Sequence, residues 1–223
     1  MACALLVSGA FPTLAGAQTI PSPYSFIEER QEATLFTGWV NAGTGRFGYG
    51  PKGGQVFGIR YGIDLSGPLS LEGSAGFFDG TRDVVSPSRP ANNQVVGEAR
   101  SLLTTVDARL RLSATGARTW HGLNPFLVFG AGVSFDPAKP SIADGLLEAD
   151  EVFDFGTKFT AMAGPGVRWS ATRNLAVRAD MGLFLWQLKT PSGFGDPTLG
   201  LQNVAESEWV SALSFTAGFV FRW

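Results

Sequence analysis

The 223-residue sequence has little of several features that usually identify a protein's chemistry. It contains one cysteine and one histidine, and its 17 basic side chains nearly balance its 19 acidic ones. The single thiol excludes a disulfide framework, and the near-neutral charge provides no basic surface for nucleic acid. Beyond the first residues, no apolar run approaches the length of a transmembrane helix. A secreted disulfide scaffold, a nucleic-acid-binding domain and a helical membrane protein are therefore all disfavoured.

Residues 1–17 have the pattern of a signal peptide. Ala2–Leu14 is apolar and uncharged, and Ala15-Gly16-Ala17 matches an A-x-A cleavage motif that would make Gln18 the first mature residue. A disordered or strand-like N-terminus is the alternative interpretation. Because Cys3 lies in this segment, the exported chain would carry no thiol. Residues 18–32 would follow as a polar lead-in.

Glycine and alternating apolar residues are abundant in the rest of the chain. The 29 glycines and 12% aromatic content are typical of many short strands joined by turns. Eight segments alternate between apolar and polar residues with a period of two, which predicts strands. These segments are Thr34–Asn41, Gln55–Leu65, Leu69–Phe78, Ala99–Ser113, Pro125–Phe135, Phe153–Ser170, Leu175–Leu188 and Trp209–Trp223.

The connections between these segments alternate between short and long. Ser66-Gly67-Pro68, Ala114–Asn124 and Ala171–Asn174 are the short ones, whereas four connections of 13 residues or more, roughly, lie between them. This rhythm is typical of an up-and-down barrel, which closes an even number of strands without leaving a free edge. We therefore expect an all-β fold over residues 33–223, an eight-stranded antiparallel up-and-down transmembrane β-barrel.

Charged and apolar residues occupy opposite faces of the predicted strands. In Gln55–Leu65, for example, Phe57 and Ile59 oppose Arg60 and Asp64. The pattern alone fits both a soluble barrel with an apolar interior and a transmembrane barrel with a charged one. Apolar strips continuous over about ten residues, together with the export signal, favour the second. The lumen would then contain Arg60, Asp64, Glu72, Asp107, Arg109, Arg111, Lys158, Arg168, Arg178, Asp180 and Arg222.

This set of opposite charges predicts an interlocked ion-pair network. Because eight strands enclose an interior just wide enough for side chains, the network would plug the barrel. A proton path, a narrow ion path and a buried active site are the alternatives, since buried charges often mark function.

Five tryptophans near strand ends predict aromatic girdles at the two membrane interfaces. Trp120, Trp169 and Trp223 fall at the short-turn ends, and Trp186 and Trp209 fall at the opposite ends. Phe78, Phe135 and Phe153 are assigned to the same outer girdle as Trp186. The sequence does not decide which face of the first strand meets lipid, since either Phe36 and Val40 or Leu35 and Trp39 could do so.

The last strand carries a resemblance to a known family. It ends in Phe219-x-Phe221-x-Trp223, and an earlier strand contains Arg60-Tyr61-Gly62 followed by a Gly67-Pro68 turn. With the eight-strand rhythm, residues 18–223 resemble the OmpA/OmpX-like outer-membrane β-barrel superfamily. The resemblance implies a bacterial outer-membrane location, a periplasmic lead-in at residues 18–32, contact with membrane lipid and lipopolysaccharide, recognition of the last strand by the barrel-assembly machinery, and a monomer.

The function expected from these features is that of a non-enzymatic barrel with a plugged lumen, acting structurally or through its long extracellular loops. A narrow channel for small solutes is the first alternative, and an envelope-lipid-modifying enzyme is the second. Enzymes of this architecture use a histidine near the outer rim. His121, however, falls in a short periplasmic turn, where we interpret it as an exposed turn residue.

Two weaker motifs predict neither a cofactor nor a metal. Gly43–Gly48 matches G-x-G-x-x-G, but the glycine- and proline-containing sequence after it cannot form the helix that a dinucleotide site requires. The acidic connection Asp136–Val152 lacks the spacing of a calcium-binding loop. We interpret both as extracellular loops and expect no cofactor.

Overall fold

The computed structural model describes residues 22–90, 92–138 and 140–223, so the predicted signal peptide lies outside the described residues. The strands are β1 (Tyr24–Phe26), β2 (Gln31–Ala42), β3 (Pro51–Ser66), β4 (Leu69–Val85), β5 (Val95–Ser113), β6 (Arg118–Trp120), β7 (Leu123–Phe135), β8 (Thr157–Ser170), β9 (Leu175–Lys189) and β10 (Ser207–Arg222). Three short 3-10 helices lie at Asp144–Leu146, Ser192–Gly195 and Pro197–Leu199. In the described part of the chain, no helix is long and apolar enough to cross a membrane.

Eight of these strands form a closed antiparallel barrel. The order runs β7-β5-β4-β3-β2-β10-β9-β8, and pairing between β7 and β8 closes the ring. The short strands β1 and β6 pair with each other beside β7, at the end of the barrel where the short turns lie. The predicted fold class is therefore confirmed.

One row of paired residues shows how strongly the strands tilt. Starting at Leu123 of β7, the row passes through each strand in turn and returns to β7 at Val133. The shift from residue 123 to residue 133 corresponds to a strand tilt of about 40° for eight strands at normal spacing. This is the tilt of transmembrane barrels, and it gives an interior that side chains can fill.

The side-chain alternation decides which face meets lipid. Leu35 and Trp39 on β2 are 66% and 60% exposed, whereas Phe36 and Val40 are buried in the interior. The same holds on β3, where Ile59 is exposed and Arg60 is buried. The outer wall is therefore apolar and the charges point inward, which resolves the open question for the first barrel strand.

The apolar wall has a defined outer limit. Outward-facing residues on β4 are apolar or small from Leu69 to Phe77, and the next one is Asp79. Asp79 accepts hydrogen bonds from Arg100 Nε and Nη2 of β5, at 2.8 and 2.7 Å. Because both side chains are exposed, this pair marks the level at which the wall leaves the hydrocarbon and enters the polar interface.

Two strand boundaries differ from the prediction. Strand β2 begins at Gln31, so Glu32 belongs to the barrel rather than to the lead-in. Strand β8 begins only at Thr157, so Phe153 and Phe155 lie in a loop. Both residues are buried. The contacts they make over the barrel mouth, rather than strand alternation, explain their apolar character.

The predicted outer girdle is wrong for Trp186. Its side chain is 3% exposed and lies inside the lumen. Trp186 is an even number of residues from Arg178 on β9, so both side chains point inward. Phe78 and Phe153, assigned to the same girdle, are also buried in the interior. The other four tryptophans assigned to the girdles are exposed on the outside of the barrel: Trp120, Trp169, Trp209 and Trp223.

The close approach of neighbouring strands makes a specific prediction about Gly38 on β2. A Cβ atom at Gly38 would lie 2.0 Å from the carbonyl oxygen of Phe215, whereas a Cβ at Gly73 would meet nothing within 4 Å. We expect Gly38→Ala to lower the free energy of unfolding by about 1–3 kcal/mol through overpacking. Gly73→Ala is the matched control, and urea unfolding in lipid vesicles measures both. Equal stability of the two variants would contradict the strand packing described.

Candidate functional site

The periplasmic half of the lumen contains a layer of charged side chains, here called the charged layer. Its members are Glu32, Arg60, Asp64, Glu72, Asp107, Arg109, Arg111, Arg168, Arg178, Asp180 and Arg222. All six arginines are buried, as are Glu32, Glu72 and Asp107. Ten of these residues belong to the set predicted from the sequence, and the structure brings them together from six of the eight barrel strands, with Glu32 on a seventh.

Two buried glutamates bridge the centre of the charged layer. Glu72 on β4 accepts a hydrogen bond from Arg111 Nη1 at 2.7 Å. It also accepts two from Arg178, at 2.6 and 3.1 Å. Glu32 on β2 accepts from Arg111 and Arg168, which lie on β5 and β8. These bonds connect strands on opposite sides of the barrel.

Arg178 extends the network towards the middle of the lumen. Besides Glu72, it donates to Asp180 from Nε and Nη2, at 2.9 and 2.8 Å to the same oxygen. Asp180 in turn accepts from Arg60 Nη1 at 2.8 Å. Arg109 pairs with Asp107 on its own strand. Each carboxylate in the layer therefore has a guanidinium partner, as burial of charge requires.

Lys158 is not part of this layer, contrary to the prediction. It lies half-buried at the outer end of β8, ten positions from Arg168, which is roughly 30 Å along a strand. It lines a surface depression with Asp154 and Lys189 instead. Lys158 does lie at an inward-facing position of its strand, as predicted, but the predicted height of this position along the barrel is wrong.

Glu32 is the member that the sequence analysis missed. The predicted strand starts at Thr34, which places Glu32 in the lead-in. Its alternation with Thr34 and Phe36, both buried, would have placed it on the inward face.

The outer half of the lumen is apolar. Strand residues Phe36, Phe78, Leu103, Trp186 and Leu188 point inward, and loop residues Tyr49, Phe153, Phe155 and Phe194 cover them. We call these nine residues the aromatic plug. The Tyr49 ring lies 4.8 Å from Phe153 and 5.6 Å from Phe194, centroid to centroid, and Phe155 meets Trp186 edge-on at 6.3 Å. These are favourable aromatic geometries, so the plug packs as a protein core does.

A small cavity separates the two layers. Its volume is about 50 Å³, with Phe36 and Trp186 on the outer side and Arg60, Arg109 and Asp180 on the inner side. This volume has room for a few water molecules but not for a metabolite. The charged layer and the aromatic plug are therefore two successive seals.

Ion pairs and hydrogen bonds fix the extracellular loops over the plug. Arg82 on β4 donates to Asp144 at 2.7 Å in a buried pair. Glu151, in the same loop as Asp144, accepts from Ser86 at 3.0 Å and from Ser88. Burial raises the pKa of Asp144, but the Ser141 backbone N–H and Arg82 lower it by more, so the carboxyl pKa lies below its usual range.

A third loop is held by Glu208 at the start of β10. Its carboxylate accepts from the Arg46 backbone N–H at 2.9 Å and from the Tyr49 hydroxyl at 3.2 Å. Tyr49 is also within 3.2 Å of the Thr190 hydroxyl. Burial, with a smaller contribution from Glu208, raises the pKa of Tyr49 to about 12. Loops from three parts of the chain thus meet at one tyrosine.

The other mouth of the barrel is crossed by residues 22–30, here called the strap. The Pro23 carbonyl accepts from His121 N–H at 2.9 Å, Ile27 N–H donates to the Ala117 carbonyl at 3.0 Å, and the Arg30 carbonyl accepts from Asp64 N–H at 2.7 Å. His121 itself is exposed in the short turn, beside Trp120. Among the described residues, no group of three or more His, Cys, Asp or Glu side chains could hold a metal ion.

Comparison with known proteins relates this architecture to outer-membrane barrels. The outer membrane protein OprG from Pseudomonas aeruginosa is 10% identical over 91% of this chain and 99% of its own, with a TM-score of 0.54. Neisserial surface protein A is 11% identical over 91% and 98%, with a TM-score of 0.49. The outer membrane enzyme PagL is 12% identical over 84% and 97%, with a TM-score of 0.41. No family model matches the sequence, and no curated protein does so.

These findings define the class of protein. The chain has the fold of an eight-stranded outer-membrane β-barrel, and the predicted resemblance is confirmed at the level of architecture. The outer-membrane location expected from the sequence agrees with this fold. A shared fold does not define a role. The role of this chain must therefore be argued from its own lumen and loops.

The charged layer predicts a large effect of removing one cation. Arg178→Met leaves Glu72 and Asp180 without their shared partner, which we expect to lower the free energy of unfolding by about 3–5 kcal/mol. Arg100→Met is the matched control, because it breaks an exposed pair that solvent screens. Urea unfolding followed by gel mobility measures both. Similar small losses for the two variants would contradict a buried network.

The Tyr49 contacts predict a pH dependence of the loop packing. Because the folded-state pKa lies above the ordinary value of 10, the stabilising contribution is complete below pH 10 and is lost as the pH rises towards about 12. Near-ultraviolet circular dichroism of the folded barrel should show loss of aromatic packing in this window. The Tyr49→Phe variant should lose the transition, and Tyr24→Phe, in the exposed strap, should retain it. A transition that persists in Tyr49→Phe would contradict this assignment.

Proposed function

We propose that this chain is an outer-membrane barrel closed to solutes, which serves the envelope structurally and presents a fixed extracellular surface. The observation that carries the proposal is the double seal of the lumen. The charged layer fills the periplasmic half and the aromatic plug fills the outer half. Since the two seals differ in chemistry, no single solute is favoured by both.

The packing of the extracellular loops supports the surface role. Arg82–Asp144 and the Glu151 hydrogen bonds hold one long loop in place. On the short helix that starts at Asp144, Leu146 is exposed, and Ile142 just before it is 94% exposed. Apolar side chains held outward on an anchored loop are typical of interaction surfaces. A protein contact through this loop is therefore the surface role that the geometry favours.

A narrow channel is the second candidate, and one observation favours it. The cavity between the two layers and a further cavity of about 190 Å³ beneath the strap both border the charged layer. A rearrangement that joined them would hydrate the periplasmic half of the lumen. It would still have to displace the aromatic plug to reach the outside.

Planar-bilayer recording separates the two candidates. We expect the folded full chain to give no steady single-channel steps, because both seals are intact. We expect Trp186→Ala to be silent as well, because the charged layer still closes the barrel. Steady steps in the wild-type protein, or steps that Trp186→Ala enlarges, would contradict the closed barrel and favour the channel. Gel mobility before and after heating confirms that each variant is folded.

A further inference from the structure

The strap carries an exposed aromatic face at the periplasmic end of the barrel. In the sheet that β1 forms with β6, Tyr24 pairs with Trp120. Phe26 pairs with Arg118 on the same face, and these four side chains, all of them exposed, are here called the strap patch. Thr119 lies on the opposite face and is buried. The sheet therefore turns its aromatic side chains outward, where the described chain does not cover them.

The strap patch continues the lipid-facing wall of the barrel. Trp120 pairs with Leu123 at the start of β7, and Leu123 pairs in turn with Trp169 of β8. Because paired residues of antiparallel strands point to the same side of a sheet, this row runs from the outer face of β8 to the strap patch. Trp169 is exposed on the outer wall. The strap patch is therefore an extension of a surface that meets lipid.

The height of the apolar wall brings the lipid headgroups to the level of the strap patch. Asp79, at the outer limit of the wall, and Leu69, at the short-turn end of β4, are ten residues apart. At about 3.3 Å per residue and a tilt of about 40°, this separation gives a height of about 25 Å, which is that of the apolar band on outer-membrane barrels. Leu65 and Leu112 are exposed at the same end. The periplasmic headgroups therefore lie at the short turns, where β6 and β1 are found.

The chemistry of the strap patch suits headgroups better than hydrocarbon. Tyrosine and tryptophan rings are amphipathic and favour the membrane interface. The Arg118 guanidinium lies over the Phe26 ring, 4.5 Å from its centroid. The two glutamates of the strap, Glu28 and Glu29, contact Arg173 rather than Arg118. Within the described chain β1 has no strand on its second side, and such an edge does not occur in hydrocarbon.

We propose that the strap patch binds the phospholipid leaflet on the periplasmic side, with its aromatic rings among the headgroups and Arg118 at a lipid phosphate. The strap thereby acts as a membrane anchor that holds residues 22–30 over the mouth of the barrel. Its continuity with the outer wall favours lipid over a periplasmic protein as the occupant. The proposal does not depend on a closed lumen, because the strap patch lies outside the barrel.

Nitroxide labels on the two faces of β1 test the contact directly. The full chain is folded into bilayer nanodiscs of phosphatidylethanolamine and phosphatidylglycerol, in a Cys3→Ser background so that each variant has one thiol. A label at Phe26→Cys should be more accessible to lipid-soluble oxygen than to a water-soluble nickel complex. A label at Ser25→Cys, on the opposite face, should show the reverse. Equal preference for the nickel complex at both sites would overturn the proposal and leave the strap patch to a periplasmic protein.

Loss of the anchor should loosen the strap in the same nanodiscs. The Ile27 N–H donates to the Ala117 carbonyl at 3.0 Å, so its exchange with solvent reports opening of the strap. Phe26→Ser should raise this exchange rate by about tenfold, because the aromatic ring no longer holds the strap at the membrane. Phe26→Trp is the matched control and should stay within about twofold of wild type. Gel mobility before and after heating confirms that each barrel is folded, and unchanged exchange in Phe26→Ser would overturn the anchor.

Discussion

The structure depends on the pairing of charges inside a narrow barrel whose outer wall meets lipid. An eight-stranded barrel tilted by about 40° leaves an interior that side chains must fill, and lipid outside leaves charged residues no other place. Arg178 is an example, because its buried guanidinium donates hydrogen bonds to both Glu72 and Asp180. The exclusion of water strengthens the attraction within each ion pair. It also makes a buried charge without a partner very costly, so every charge in the layer must be paired. The network thus connects opposite walls of the barrel and closes it.

The second seal follows from a different constraint at the outer mouth. The apolar wall ends at the level of Asp79 and Arg100, and the strands continue from there towards the extracellular loops. The outer half of the interior is built like the core of a soluble domain, with the loop residue Phe155 packed edge-on against the strand residue Trp186. A rigid cap of this kind explains how long loops can present a fixed surface. It also explains why the outer half of the lumen needs no charge.

The barrel and most of its lumen could be predicted from the sequence because a strand's period of two is a local property. Arg60 and Arg178 were placed correctly since their apolar neighbours define the outer face. Trp186 was misplaced because an aromatic residue near a strand end suits both a girdle and a plug, and only its phase distinguishes them. Height along the barrel depends on where each strand begins, and the alternation does not define that point. The predicted positions of Lys158 and Glu32 are wrong for this reason. The loop partners of Tyr49 could not be predicted, because they are contacts between segments far apart in the chain.

The coupling between Glu72 and Arg178 tests the central claim most directly. A double-mutant cycle with Glu72→Gln and Arg178→Met, read by urea unfolding in lipid vesicles, isolates the interaction between the two side chains. The account predicts a coupling free energy of at least about 2 kcal/mol, because the pair is buried and bidentate. A coupling near zero would contradict it, since the two charges would then be solvated separately and the lumen would not be sealed by their pairing.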